Sequence, residues 1–209
     1  MANISKAASK FGATVGLTGA PVFTQSKNII DLIVDDHKYA KSLYEKFKTT
    51  PNVNEKIDIR NTLVKTLVQH DECEQLLVYP LLREKVGGPE GEEQYRRSLQ
   101  EHQELRHLMY AVKYTDLKAN PKEFHSKITA AMDYLFHHIE QEENEVLPLL
   151  RKHVSEEELK KVGASFNAHK PTAATRPHPN APAQGFPAAV ANVLTKPIDK
   201  ARDLLEGVQ

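Results

Sequence analysis

One stretch of the chain occurs twice, and any fold it adopts must place both copies. Residues 67–86 read LVQHDECEQLLVYPLLREKV, and residues 135–154 read LFHHIEQEENEVLPLLRKHV. Aligned without a gap, they match at Leu67/Leu135, His70/His138, Glu72/Glu140, Glu74/Glu142, Val78/Val146, Pro80/Pro148, Leu81/Leu149, Leu82/Leu150, Arg83/Arg151 and Val86/Val154. Each copy therefore carries His-x-x-x-Glu, followed six residues later by Pro-Leu-Leu. On a helix, positions i and i+4 lie about 40° apart and roughly 6 Å along the axis, so each His and Glu share a face. Two such pairs aimed into one core point to a two-metal site.

The apolar spacing predicts four long helices. The first, over about 28–48, carries Ile30, Ile33, His37, Ala40, Tyr44 and Phe47 on one stripe. The second, over about 54–85, carries Leu63, Leu67, His70, Glu74, Leu77 and Leu81, with a kink expected at Pro80. The third, over about 90–117, turns Tyr95, Leu99, His102, Leu105, Met109 and Val112 inward. Asn120, Pro121 and Glu123 form a helix start for the fourth, which runs to about Lys152 with Leu135, His138, Glu142 and Val146 in line. A short fifth helix opens at the capping box Ser155–Glu158. No stretch alternates at period two for long enough to form a strand.

The expected architecture is an all-α, up-down-up-down four-helix bundle over residues 28–154, followed by a short capping helix over 155–168. A leader of residues 1–27 and a proline-rich tail over 169–209 flank it, the tail ending in an amphipathic segment (about 188–205) expected to dock on the bundle. The duplication is larger than one helix. His37 precedes His70 by 33 residues and His102 precedes His138 by 36, so the repeating unit is a helix pair.

Counted from loop centres near 52, 88 and 120, His37, His70, Glu74, His102 and His138 lie about 14–18 positions from a turn and Glu142 one turn beyond His138, which puts all six within one or two turns of the same level of the bundle. A core holding six such groups unpaired would lose about 1–3 kcal/mol for each, and more for the carboxylates. Metal binding removes that cost. Four imidazoles and two carboxylates suit a pair of transition ions about 3.5–4 Å apart, bridged by the carboxylates. Nitrogen and oxygen donors without thiolate favour iron, with zinc or manganese possible. Cys73 falls about 100° around the helix from Glu74 and is not expected to be a ligand.

These residues resemble the hemerythrin-like family, also called the HHE cation-binding domain. The matching features are Asp35-Asp36-His37, His70-x-x-x-Glu74 with Tyr79-Pro80, Glu101-His102, and His138-x-x-x-Glu142 with Pro148. The resemblance covers about residues 28–154. It implies a non-haem di-iron centre in which Glu74 and Glu142 bridge and the four histidines are terminal. Oxygen-carrying members have a second histidine four residues after the one on the third helix, where this chain has Arg106. Their last carboxylate is an aspartate five residues after the fourth-helix histidine, where this chain has Glu142 at four. The missing imidazole implies a more open site and points to the broader family: iron binding, oxygen or redox sensing, and protection against oxidants or nitric oxide. The proline-rich tail is similar to tails of fungal members.

Among other polar residues, Asp71, Glu72, Glu104 and Arg106 are candidates for orienting the ligands. Tyr44 and Tyr110 could reach the site, with packing as the default. His107, His125, His137, His153, His169 and His178 are expected at the surface. Lys plus Arg equals Asp plus Glu at 28 each, which gives no argument for a nucleic acid or an anionic membrane as partner. One cysteine permits no internal disulfide, and no apolar run reaches the roughly 20 residues a membrane span needs. The absence of a recognisable signal points to the cytoplasm, with mitochondrial targeting as the alternative. The expected function is binding or sensing of dioxygen, peroxide or nitric oxide at the metal pair, leaning towards binding rather than turnover. A ferroxidase or peroxide-consuming oxidoreductase, and a metal-folded iron- or zinc-responsive interaction protein of unknown partner, are the alternatives.

Overall fold

The computed structural model describes residues 27–180 together with 199, 200, 202 and 203. The leader before Lys27 and most of the expected docking segment lie outside the described residues. Helix α1 spans Ile29–Thr49, α2 Val53–Leu77, α3 Tyr79–Leu81, α4 Gly88–Tyr114, α5 Pro121–Gln141, α6 Leu147–His153 and α7 Glu156–His169. Two π-helical turns, Leu82–Val86 and Glu142–Val146, join the shorter pieces, and Lys170–Thr172 forms a 3₁₀ turn. The described residues contain no strand. α1, α2 with α3, α4, and α5 with α6 are the four rods of an up-down-up-down bundle, with α7 laid against α1 and α2.

The helix starts follow local chemistry. The Asn28 side chain accepts from the Asp31 amide, Asn52 from Asn54 and Glu55, and Ser155 from Glu158, each satisfying amides that the first turn leaves free. Asn120 stands at the start of α5 as expected, but its side chain makes no capping bond, and Pro121 opens the helix instead. At the end of α4 the buried Arg60 donates to the carbonyls of Val112, Lys113 and Thr115. The last turn thus finishes on a cation rather than on water.

The second rod breaks beside Pro80, where a kink is expected, and the fourth is not the continuous helix that the stripe predicts. Pro80 has no amide proton, so α2 stops at Leu77 and restarts with the proline in the first turn of α3. The π turn that follows ends at Gly87, whose φ of 66° only glycine adopts readily. In the second copy the π turn comes before the proline, at Glu142–Val146, and Pro148 sits in the first turn of α6. The same motif is therefore accommodated in two ways. The expanded turn falls on Glu142 in one copy and well past Glu74 in the other.

Apolar residues form two clusters rather than one. Ala40, Tyr44, Phe47, Leu67, Met109, Phe124 and Leu135 belong to the first. Ile29, Ile33, Tyr79, Leu82, Leu99, Leu150 and Phe166 belong to the second, which α7 helps to close. α7 approaches so closely that a Cβ on Gly163 would lie 2.4 Å from the Lys27 carbonyl oxygen. Along each rod the six polar stripe residues fall between the two clusters, making a polar layer between apolar plates.

Candidate metal centre

His37 comes from α1, His70 and Glu74 from α2, His102 from α4, His138 from α5 and Glu142 from the second π turn. The structure buries all six; Glu74 is 0% and Glu142 1% exposed. His37, His70, Glu74 and Glu142 each offer one donor atom, and these atoms lie within 4.8 Å of one another. His70 Nε2 is 3.1 Å from Glu74 Oε2, which is 3.4 Å from His102 Nε2. His138 Nε2 is 2.9 Å from His102 Nε2 and 3.9 Å from Glu142 Oε2. The six predicted residues therefore meet at one place. His37 Nε2, Glu74 Oε1 and Glu142 Oε2 are buried there without a hydrogen-bond partner. His37 Nε2 and Glu142 Oε2 are 3.3 Å apart, yet neither forms a hydrogen bond. Imidazole nitrogens and carboxylate oxygens left unsatisfied in an apolar core are the donor set a borderline transition ion takes.

The other nitrogen of each imidazole faces outward onto a carboxylate. Asp36 on α1 takes His70 Nδ1 at 3.2 Å, and Asp71 on α2 takes His102 Nδ1 at 2.6 Å. Glu101 on α4 takes His138 Nδ1 at 2.7 Å, and Glu143 in the π turn takes His37 Nδ1 at 2.9 Å. Each bond crosses to the next rod, and the fourth returns to the first, so the contacts close a ring around the bundle. Each outer carboxylate is also the chain neighbour of an inward residue: Asp36 of His37, Asp71 of His70, Glu101 of His102, Glu143 of Glu142. A neighbour lies about 100° around the helix, on the flank that meets the adjacent rod. With Nδ1–H donated outward, Nε2 presents its lone pair inward, and the tautomer follows from this network.

Electrostatics agree with that arrangement. Burial disfavours a charged His70, but Glu74 and Asp36 outweigh it and hold its pKa well above the ordinary histidine value. His138 is raised likewise, with Glu101 and Glu142 overcoming burial. Burial raises Asp71, yet Arg106 and His102 bring it down to about 2. For Glu142, burial is overcome by His37, 3.3 Å away, and by the charge of His138, and its pKa falls below the usual carboxylate range.

Tyr44 and Tyr110 follow the default expectation of packing rather than contact with the site. Tyr44 packs on Phe47 and Phe136, and Tyr110 is 44% exposed, so neither reaches the centre. The tyrosine that does is Tyr79. Its hydroxyl is 2.6 Å from His102 Nε2 and donates to Glu74 and Glu142 at 3.2 Å each. It follows the break after Leu77, which re-aims the chain in a way helical periodicity does not register. Arg106 points away from the centre and grips Asp71 with Nε and Nη2 at 3.1 and 2.8 Å. The site is therefore not simply opened where an imidazole is missing, because the Tyr79 phenol stands beside His102.

Of the other candidates for orienting ligands, Asp71 is in the ring. Glu72 instead accepts from the Ala174 amide and pairs with His169, and Glu104 is exposed. His169 and His178 are half-buried rather than superficial, the latter paired with buried Asp199. Cys73 lies in the apolar cluster, where burial pushes its thiol up to about 12.

A four-helix bundle with His and Glu converging at mid-height defines a class of cation-binding helical proteins. The chain belongs to the hemerythrin family: the hemerythrin HHE cation binding domain matches residues 28–150. An uncharacterized hemerythrin-like protein of Schizosaccharomyces pombe is 35% identical over 178 residues, covering 85% of this chain and 86% of that one. A DNA nickase of a Nostoc species is 25% identical over 146 residues, which is 70% of this chain and 40% of the nickase. No solved structure matches the chain significantly. Among the described residues, no helix is long and apolar enough to cross a membrane.

Proposed function

We propose that His37, His70, Glu74, His102, His138 and Glu142 hold two iron ions as a non-haem centre that binds or senses a small molecule: dioxygen, peroxide or nitric oxide. The observation that supports this reading is the ring. Four imidazoles are each fixed from outside by a carboxylate, so that four Nε2 atoms and two glutamates face one another with three buried atoms unpartnered. A pair of irons would supply small-molecule ligation and electrons. The chain supplies the rest. Glu74 and Glu142 lie between the histidine pairs, where carboxylates bridge. The two apolar clusters exclude bulk water above and below. Tyr79, held protonated by burial and by the Glu142 and Glu74 charges, keeps an O–H at the centre as a hydrogen-bond donor. The bundle over 28–154 carries all six of these residues.

The test is metal content after anaerobic purification and iron loading, with optical spectra before and after oxygen is admitted. Two irons per chain and a new near-ultraviolet or visible band are expected, reversing when oxygen is removed. Sustained consumption of peroxide or ferrous iron would move the assignment to an oxidoreductase. Stoichiometric zinc without a spectral response would leave a metal-folded protein. Failure to take up any metal would overturn the reading.

A further inference from the structure

Three of the four ring carboxylates are themselves held by a cation, and one of those cations comes from outside the bundle. Arg106 on α4 holds Asp71, and Arg97 on α4 lies 3.7 Å from Glu101. Asp36, which holds His70, is engaged by Lys170 with both oxygens. Lys170 lies beyond α7 and beyond residue 150, where the family match ends. The segment around it is fastened to α2 by two residues one turn apart. The Gln69 side chain donates to the Lys170 carbonyl at 3.0 Å. Glu72 accepts from the Ala174 amide at 2.9 Å and meets His169 Nε2 at 3.0 Å. Farther along, Gln103 on α4 donates to the Pro179 carbonyl at 2.7 Å, so the segment crosses from the second rod to the third. It runs as a strap over the level of the centre.

We propose that Lys170 is a positioning residue of the metal centre: docking of the strap over residues 169–179 fixes Asp36, Asp36 fixes His70, and metal binding and strap docking therefore strengthen each other. This rests on reading the six inward residues as ligands. Asp36 is 16% exposed, and without the ammonium its carboxylate is free to turn to water and release His70 Nδ1. Outer partners of this kind are worth about 10–100-fold in metal affinity. Removing the positive charge alone would act the other way, since an unneutralised Asp36 makes His70 a stronger donor. Positioning and charge thus predict opposite signs. Linkage makes the coupling reciprocal, so metal must protect the strap by a factor of the same size.

The experiment titrates the full chain anaerobically with ferrous iron against a chelator, for wild type, Lys170→Met, Lys170→Arg and Glu72→Gln. In parallel it follows hydrogen exchange at the Ala174 amide, which bonds Glu72 in the docked strap. Wild type should bind two ions, with Ala174 exchange slowed about tenfold on loading. Lys170→Met should weaken one of the two ions by about tenfold and uncouple Ala174 exchange from metal, while Lys170→Arg restores both. Glu72→Gln, outside the six inward residues, should speed Ala174 exchange and weaken the same ion. Two ions bound equally by wild type and Lys170→Met, or bound more tightly by the variant, would overturn the proposal and leave the metal site standing. A wild type that binds no iron would overturn both. Circular dichroism and thermal melting of each metal-free variant separate these outcomes from misfolding.

Discussion

The two halves of the centre are built and closed differently. In one, His37, His70, Glu74 and Glu142 bring four donors within 4.8 Å. In the other, His102 and His138 face each other with Nε2 atoms 2.9 Å apart, and the phenol of Tyr79 stands where further donors would have to enter. The duplicated motif gives each helix pair a His-x-x-x-Glu, but the flanking chain breaks that symmetry. After Glu74 the rod ends and restarts so that Tyr79 turns inward; at Glu142 the rod widens into a π turn. One turn past His102 the chain has Arg106, committed to Asp71. Repetition of ligands does not make the two positions chemically equal.

The largest effect should come from the residue that touches both halves. Glu74 Oε2 lies 3.1 Å from His70 Nε2 and 3.4 Å from His102 Nε2. Glu74→Ala should therefore lower metal content from about two ions per chain to nearly none, as should His138→Ala for at least its own ion. Elemental analysis after iron loading measures it. Full occupancy in the Glu74→Ala, His138→Ala double variant would remove the site as drawn. Next come variants confined to one half. His37→Ala should lose one ion outright, because the four-donor half has no substitute within reach. His102→Ala should keep two ions with affinity lowered by about tenfold, and adding Tyr79→Phe should then release the second. Equal losses in His37→Ala and His102→Ala would mean that Tyr79 makes no difference between the halves.

The buried faces of the rods were legible because both sequence and helix are periodic. A stripe at spacings of three and four fixed which side of each rod is buried, and loop positions fixed the level, so all six inward residues could be placed before any coordinates. What periodicity could not supply lies where the helix stops being regular. Pro80 and Pro148 announce irregularity, but not that one π turn would follow its proline and the other precede it. Tyr79 was for that reason a motif residue without a place, while Tyr44, on the regular stripe, packs as expected. The ring of carboxylates was half legible. Each acid adjoins an inward residue in sequence, and Asp71 was recognised, but Asp36, Glu101 and Glu143 required knowing which rods are neighbours. The Lys170 contact spans 134 residues and carries no local signal at all.

A pH series sharpens the comparison further. His70 and His138 have raised pKa values in the metal-free fold, so their imidazoles keep to higher pH the protons that bound metal must expel. A raised folded pKa contributes stability that is present below the unfolded histidine value, about 6.5, and is lost as pH rises through the raised one. The metal-free protein should therefore lose stability on the alkaline side, where metal binds more tightly. The difference in Tm between loaded and metal-free protein should widen from pH 6 to pH 9, by several degrees for each kcal/mol of linkage. A constant difference would mean that loading releases no protons from these imidazoles.

The smallest effect isolates the outer ring from the ligands. Asp71 has its carboxyl held down to about 2 by Arg106 and His102 in spite of burial. Against an unfolded value of about 3.9, a depression of that size corresponds to roughly 2–3 kcal/mol at neutral pH. For a depressed carboxylate the contribution is complete above the unfolded pKa and disappears as pH falls through the folded one, here between about pH 4 and pH 2. Asp71→Asn should thus lower the urea-unfolding free energy of the metal-free protein by about 2 kcal/mol at pH 7, with the gap to wild type closing as the pH approaches 2. Asp36→Asn should cost less, because Asp36 is the more solvated of the two and its cation arrives on a separate segment. A gap for Asp71→Asn that stays constant from pH 7 to pH 2 would trace the loss to packing. The Arg106 pairing would then be a consequence of the fold around His102 rather than a support for it.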